Sequence, residues 1–282
     1  MKNSWLSIHM FVWDYSLFDN LIEHISSELK KADINNFFFI RYWEGGPHMR
    51  FRFKDGESNR GRILGIFENT LRQTRINYPD IEKKELDKKV FYDETFTDGK
   101  ELNYKKLPWF GNLVISEVPY VREIDRYGGK EFIEFAEDSF VESTVLTCTL
   151  LTQQLNLVAK LLVYYDFVSL ITKELYGSLV KKQKLCEMAS NFWEELGISP
   201  LTNINKLRRL RDISQQVDLN HMYDHFATSL KRDFQVIKVS KGEEYANSVM
   251  FSQFHMFANR LGLPISGELA CYKLLEEGCG VN

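Results

Sequence analysis

Residues 37–53 read FFFIRYWEGGPHMRFRF, and within them His48, Arg50 and Arg52 alternate with Met49, Phe51 and Phe53. Successive side chains of a strand point to opposite faces, so this spacing sets one imidazole and two guanidinium groups against three large apolar side chains. The apolar face is suited to a core. The cationic face is harder to explain, because guanidinium groups two apart on one strand repel each other. A bound carboxylate would relieve that repulsion, since a guanidinium fork donates to it bidentately. An edge strand kept soluble by its arginines is the competing reading. Glu44, Gly45, Gly46 and Pro47 separate this strand from the apolar run before it, which predicts a hairpin with a somewhat long loop.

Around that hairpin the pattern alternates. Trp5–Trp13 reads as a strand, Ser16–Lys31 as an amphipathic helix, Asn36–Trp43 and His48–Lys54 as strands, and Ser58–Ile76 as a helix. Further strands are predicted over Lys89–Phe96 and Leu113–Val118, with a polar turn over Thr97–Gly99. From Gly128 onward the pattern is helical, beginning with Glu131–Gln154 and broken near Gly177, Gly197–Pro200, Gly242 and Gly262–Pro264. Strands followed by helices predict an α+β fold, with a sheet-rich half over residues 1–127 and a mainly helical half over 128–282. With no linker or repeat between them, a single domain over 1–282 is the simplest organisation.

Bulk properties exclude several classes. A net charge of −3 argues against a protein that mainly grips a phosphate backbone. Basic clusters at Lys181, Lys182 and Lys184 and at Lys206, Arg208, Arg209 and Arg211 have helical periodicity and read as solvated faces, with contact to an acidic partner or RNA as the alternative. Cys148, Cys186, Cys271 and Cys279 lack metal-type spacing and fit reduced thiols in a cytoplasmic protein. The amino-terminal run has no signal-peptide layout, and the apolar stretch Leu155–Ile171 is interrupted by Lys160 and Asp166, so no membrane span is predicted. GxGxxG, Walker, HExxH and CxxC patterns are absent, which leaves nucleotide, cofactor and zinc readings without sequence support. His221 and His225 have ligand spacing but no third ligand, and read as surface histidines.

Two later segments carry chemistry. In YVREIDRYGG, Glu123 and Arg126 lie three apart before Gly128 and Gly129; they form either a local ion pair or a charge-matched element of a pocket that the glycines let a ligand approach. In FSQFHMFANRLGL, His255 and Asn259 share a helix face among apolar neighbours. A histidine there is either a satisfied buried side chain or, beside a cleft, a proton carrier at neutral pH.

The ordered motifs RY…HMRFRF, YxxExxRYGG and HMxxNRLG resemble the carboxy-terminal glutamate-elimination domain of lantibiotic dehydratases, including its free-standing versions in thiopeptide and split lantibiotic pathways. The resemblance runs from Trp5 to about Leu263, with Gly45 and Gly46 departing from the turn anticipated there. In that family a partner esterifies Ser or Thr of a precursor peptide with glutamate from glutamyl-tRNA, and the elimination domain expels the glutamate to leave dehydroalanine or dehydrobutyrine. The resemblance implies that the family's pocket residues carry over onto Arg50, Arg52, Glu123, Arg126 and His255, all present here. It assigns His255, Arg50 and Arg126 to catalysis and Arg52 and Glu123 to substrate binding, with no cofactor or metal. Implied partners are the glutamylated precursor peptide and a separate tRNA-dependent glutamylating enzyme, because the family's glutamylating region is longer than anything left over here. Oligomeric state is left open, a homodimer included. The alternatives are a thiopeptide pyridine synthase of the same fold, acting by cycloaddition, and a non-catalytic peptide-binding subunit.

Overall fold

The computed structural model describes residues 5–94, 103, 105–201 and 220–278. The polar turn over 97–99, the basic cluster at Lys206–Arg211 and Cys279 lie outside them. The chain packs as two compact units, one ending at Val121 and the other starting at Arg122.

The first unit contains β1 (Trp5–Phe11), α1 (Phe18–Lys31), β2 (Phe37–Tyr42), β3 (His48–Lys54), α2 (Arg60–Asn77), α3 (Lys88–Glu94) and β4 (Val114–Glu117). Its strands form one sheet in the order β2-β3-β1-β4, every neighbouring pair antiparallel. This is a split βαβ, ferredoxin-like connection with α3 inserted before the last strand. Met49, Phe51 and Phe53 face Met10, Ile8 and Leu6 across the ladder, and Phe39 and Phe37 flank Phe51 and Phe53 from β2. All of these side chains are buried. Phe67 of α2 packs edge-on against Phe51, with ring centroids 5.0 Å apart, so α2 covers this face. Helix α1 lies beside α2 and buries Phe18, Leu21, Ile22, Ile25 and Leu29, the spacing of one helical stripe.

One element differs in kind from the sequence expectation. Within Lys89–Phe96, predicted as a strand, the described residues are helical as α3. The side chain of Asp87 accepts the backbone N–H of Val90, and its carbonyl accepts that of Phe91. An aspartate N-cap thus starts a helix over an aromatic and β-branched run that by propensity favours a strand.

The second unit contains α4 (Ile133–Leu151), α5 (Leu157–Leu175), α6 (Leu179–Glu195), α7 (Asn220–Lys241), α8 (Glu243–Leu261) and α9 (Ile265–Gly278). Helix α8 touches each of the other five and buries Val249, Met250, Phe254, Phe257 and Leu261 among them. Phe167 of α5 stacks on Phe226 of α7 with centroids 4.8 Å apart and meets Phe257 of α8 at 4.9 Å. The breaks predicted at Gly177, Gly197–Pro200, Gly242 and Gly262–Pro264 all fall between helices or beyond a helix end. Among the described residues no helix is long and apolar enough to cross a membrane.

Candidate active site

Strand β3 is internal to the sheet, with β2 on one side and β1 on the other, so its arginines are not guards of an open edge. The register aligns Arg52 with Ser7 and Phe38, Arg50 with His9 and Ile40, and His48 with Phe11 and Tyr42, all on the face opposite the helices. His48 is fully buried; its Nδ1 donates to the carbonyl of Gly46 at 2.8 Å, which leaves Nε2 to accept Arg50 Nε–H at 2.9 Å. The Arg50 guanidinium sits 3.6 Å above the Tyr42 ring. Arg52 lies over Tyr120 at 4.6 Å and Phe38 at 5.4 Å. Aromatic faces therefore pack against both cations, a favourable contact for each guanidinium. His48, which sequence alone left undefined, is a positioning residue for Arg50.

His9 stacks against His48 with ring centroids 5.0 Å apart. Burial, reinforced by the charge of Arg50, pushes the pKa of His48 down to about 3 and that of His9 down to about 2. Both are neutral in the fold, whereas each takes up a proton in the unfolded chain below about 6.5. Their contribution to stability is thus complete above that pH and is lost as pH falls toward the folded values. The predicted slope approaches about 1.4 kcal/mol per pH unit for each histidine. Urea midpoints at pH 7, 6, 5 and 4 should fall progressively, and His48→Gln should remove about half of that histidine slope.

In the second unit, Arg126 bonds Glu123 Oε2 through Nη1 at 3.1 Å and Ser252 Oγ through Nε at 3.3 Å. The Glu123–Arg126 pair predicted from spacing is formed, and Glu123 is exposed. Gly128 and Gly129 have φ of +101° and +89°, a region costly for other residues. A Cβ on Gly128 would lie 2.8 Å from Phe132 Cβ, and one on Gly129 would run into Lys241 Nζ. Glycine is thus suited to the turn at both positions, and at Gly128 also to its packing against Phe132 and Ile237. Gly128→Ala should cost about 1–3 kcal/mol, read as a lowered denaturation midpoint.

Ser252 and His255 are three apart on α8, which makes them neighbours on one helix face. Through Ser252, the Arg126 guanidinium is anchored one turn from the imidazole. His255 Nδ1 lies 2.8 Å from Oε2 of Glu268 on α9, and the Trp193 ring packs against the imidazole with centroids 5.0 Å apart. Glu268 is almost fully buried, and its Oε1 has no hydrogen-bond partner among the described residues. Sequence reasoning missed this residue. Its sequence signal was slight: one carboxylate in the first turn of a helix, where acidic residues are common.

Arg50 and Arg52 thus belong to the first unit, and Glu123, Arg126 and His255 to the second. His221 and His225 are exposed on α7, and among the described residues no group of His, Cys, Asp and Glu is arranged to hold a metal.

An antiparallel α+β unit followed by a helical unit defines the class. A model of the lantibiotic biosynthesis dehydratase C-terminal family matches residues 5–278, and the chain belongs to that family. Family membership supports a catalytic biosynthetic role of the dehydratase kind. No curated protein matches the chain. Among solved structures it is similar to the pyridine synthase TbtD from thiomuracin biosynthesis, with 15% identity and a TM-score of 0.66 over 98% of this chain and 97% of that one. It is also similar to the tRNA-dependent lantibiotic dehydratase MibB from Microbispora sp. 107891, with 14% identity and a TM-score of 0.67 over 98% of this chain and 28% of that protein. The structure of TsrL is a third likeness, at 13% identity and a TM-score of 0.56 over 98% of this chain and 94% of that one. At these identities the likenesses establish a shared fold.

Proposed function

We propose that this chain is the elimination subunit of a split dehydratase, removing glutamate from glutamylated Ser or Thr residues of a precursor peptide. The observation that carries this reading is the imidazole of His255 one helical turn from the anchored guanidinium of Arg126. Elimination requires a base for the Cα proton and positive charge where negative charge grows. As Cα–H breaks, the Cα=Cβ double bond forms, the Cβ–O bond breaks, and glutamate departs as a carboxylate. His255 serves the proton. Arg50 and Arg126 stabilise charge that increases toward the transition state, while Arg52 and Glu123 hold the substrate's glutamate. The chain acts as one functional domain, in the cytoplasm, with a separate tRNA-dependent enzyme making the ester.

Incubating purified protein with a chemically glutamylated precursor and following its mass tests this reading. Conversion of each glutamyl ester to a dehydro residue is the expected result. If the glutamylated peptide is unchanged, and an already dehydrated one instead loses its leader with ring formation, the chain is a pyridine synthase. If neither peptide changes but both bind, it is a non-catalytic subunit.

A further inference from the structure

We infer that Glu268 is a positioning residue that fixes His255 in its Nδ1–H tautomer, so that Nε2 presents the lone pair that takes the proton. This deepens the proposed elimination and rests on that reading for its chemical consequence.

A carboxylate can only accept, so the 2.8 Å contact to Glu268 Oε2 requires a hydrogen on His255 Nδ1. The neutral ring then has its lone pair on Nε2, which makes no hydrogen bond to a described residue. The tautomer is set by the fold before substrate arrives. When Nε2 takes the Cα proton, the imidazolium that results is neutralised by a carboxylate already in place. The same pair then lets Nε2 release the proton to solvent or to the departing glutamate.

Burial strengthens the argument. An ionised carboxylate held 1% exposed, with one oxygen unpartnered, is costly unless a partner cation compensates it. Among the described residues the contact to His255 is the side-chain hydrogen bond of Glu268, and it becomes an ion pair when Nε2 takes the proton. Tyr164 of α5 and Tyr272 of α9 bond each other at 2.9 Å, and their phenols are raised first by burial and then by the charge of Glu268. Cys271 is raised by the same causes. Trp193 contributes an apolar wall from α6, and Arg126, on the Ser252 side of α8, is the cation on His255's own helix face. A structural hydrogen bond alone would need no charge on Glu268; a proton-carrying pair does.

The test uses the whole chain with ¹⁵N-labelled histidine, comparing parent, Glu268→Gln and Glu268→Asp by long-range ¹⁵N–¹H correlation across pH. In the parent, neutral His255 should appear as the Nδ1–H form. In Glu268→Gln, whose amide can either accept from Nδ1 or donate to it, the Nδ1–H form should no longer dominate. Glu268→Asp keeps a carboxylate that can only accept and should retain that form. In turnover of glutamylated peptide, Glu268→Gln should lower kcat on the order of 100-fold with little change in KM, and Glu268→Asp should recover much of that loss. If the tautomer is Nε2–H in the parent, or the Nδ1–H form dominates undiminished in Glu268→Gln, the inference is overturned. If the spectra behave as described but the parent leaves glutamylated peptide unchanged, the pair stands and the elimination reading fails.

Discussion

Replacing His255 with alanine is expected to stop dehydration and leave glutamylated peptide to accumulate, with turnover lowered by about 10²–10⁴-fold. Positioned proton transfer is worth that much, and His255 is the one imidazole in the sequence of α8. Alanine also deprives Glu268 of its hydrogen-bond partner, which should destabilise the second unit by about 1–3 kcal/mol. His255→Gln separates the two effects, because its amide can still donate to the carboxylate while lacking a useful base. Near-parental denaturation midpoints with turnover as low as in alanine are the expected result for glutamine. Equal dehydration rates in both variants and the parent would remove His255 from the chemistry.

Arg50→Ala is expected to lower kcat by about 10²–10³-fold, the scale seen when one preorganised donor to a developing anion is deleted. The side chain is prepared for this role by neutral His48 at its Nε and by the Tyr42 face beneath its guanidinium. Arg50→Lys should not rescue it. An ammonium group has no planar fork to match a carboxylate and stack on the ring at once. His48→Gln should produce a weaker version of the same defect, because it loosens the guanidinium without removing it. Mass spectra of the peptide after fixed times, beside denaturation midpoints, distinguish lost chemistry from lost fold.

The alternation of His48, Arg50 and Arg52 with Met49, Phe51 and Phe53 was legible because a strand's two faces follow directly from its pleat. The stripe of α1 was legible for the parallel reason in a helix. What the pattern could not reveal was the strand's neighbours. Whether β3 lay at an edge depended on strand order, and the rings of Tyr42 and Tyr120 that take up the arginines come from elsewhere in the unit. Helix α3 was misread because a single Asp87 cap decided a short segment whose residue types favoured a strand. Glu268 was invisible for a different reason. Thirteen residues and a helix boundary separate it from His255, and only the packing of α9 against α8 turns a common helix glutamate into a buried partner. The glycine pair was correctly located, yet its space is taken by Phe132, Ile237 and Lys241.

The most direct test of the central claim is the stoichiometry of free glutamate released from a peptide carrying a defined number of glutamyl esters, measured with this chain as the sole enzyme. One glutamate should be released for every dehydro residue formed, and none from His255→Gln within the same time. Retention of every ester by the parent protein, or glutamate released by hydrolysis with Ser or Thr regenerated, would contradict it.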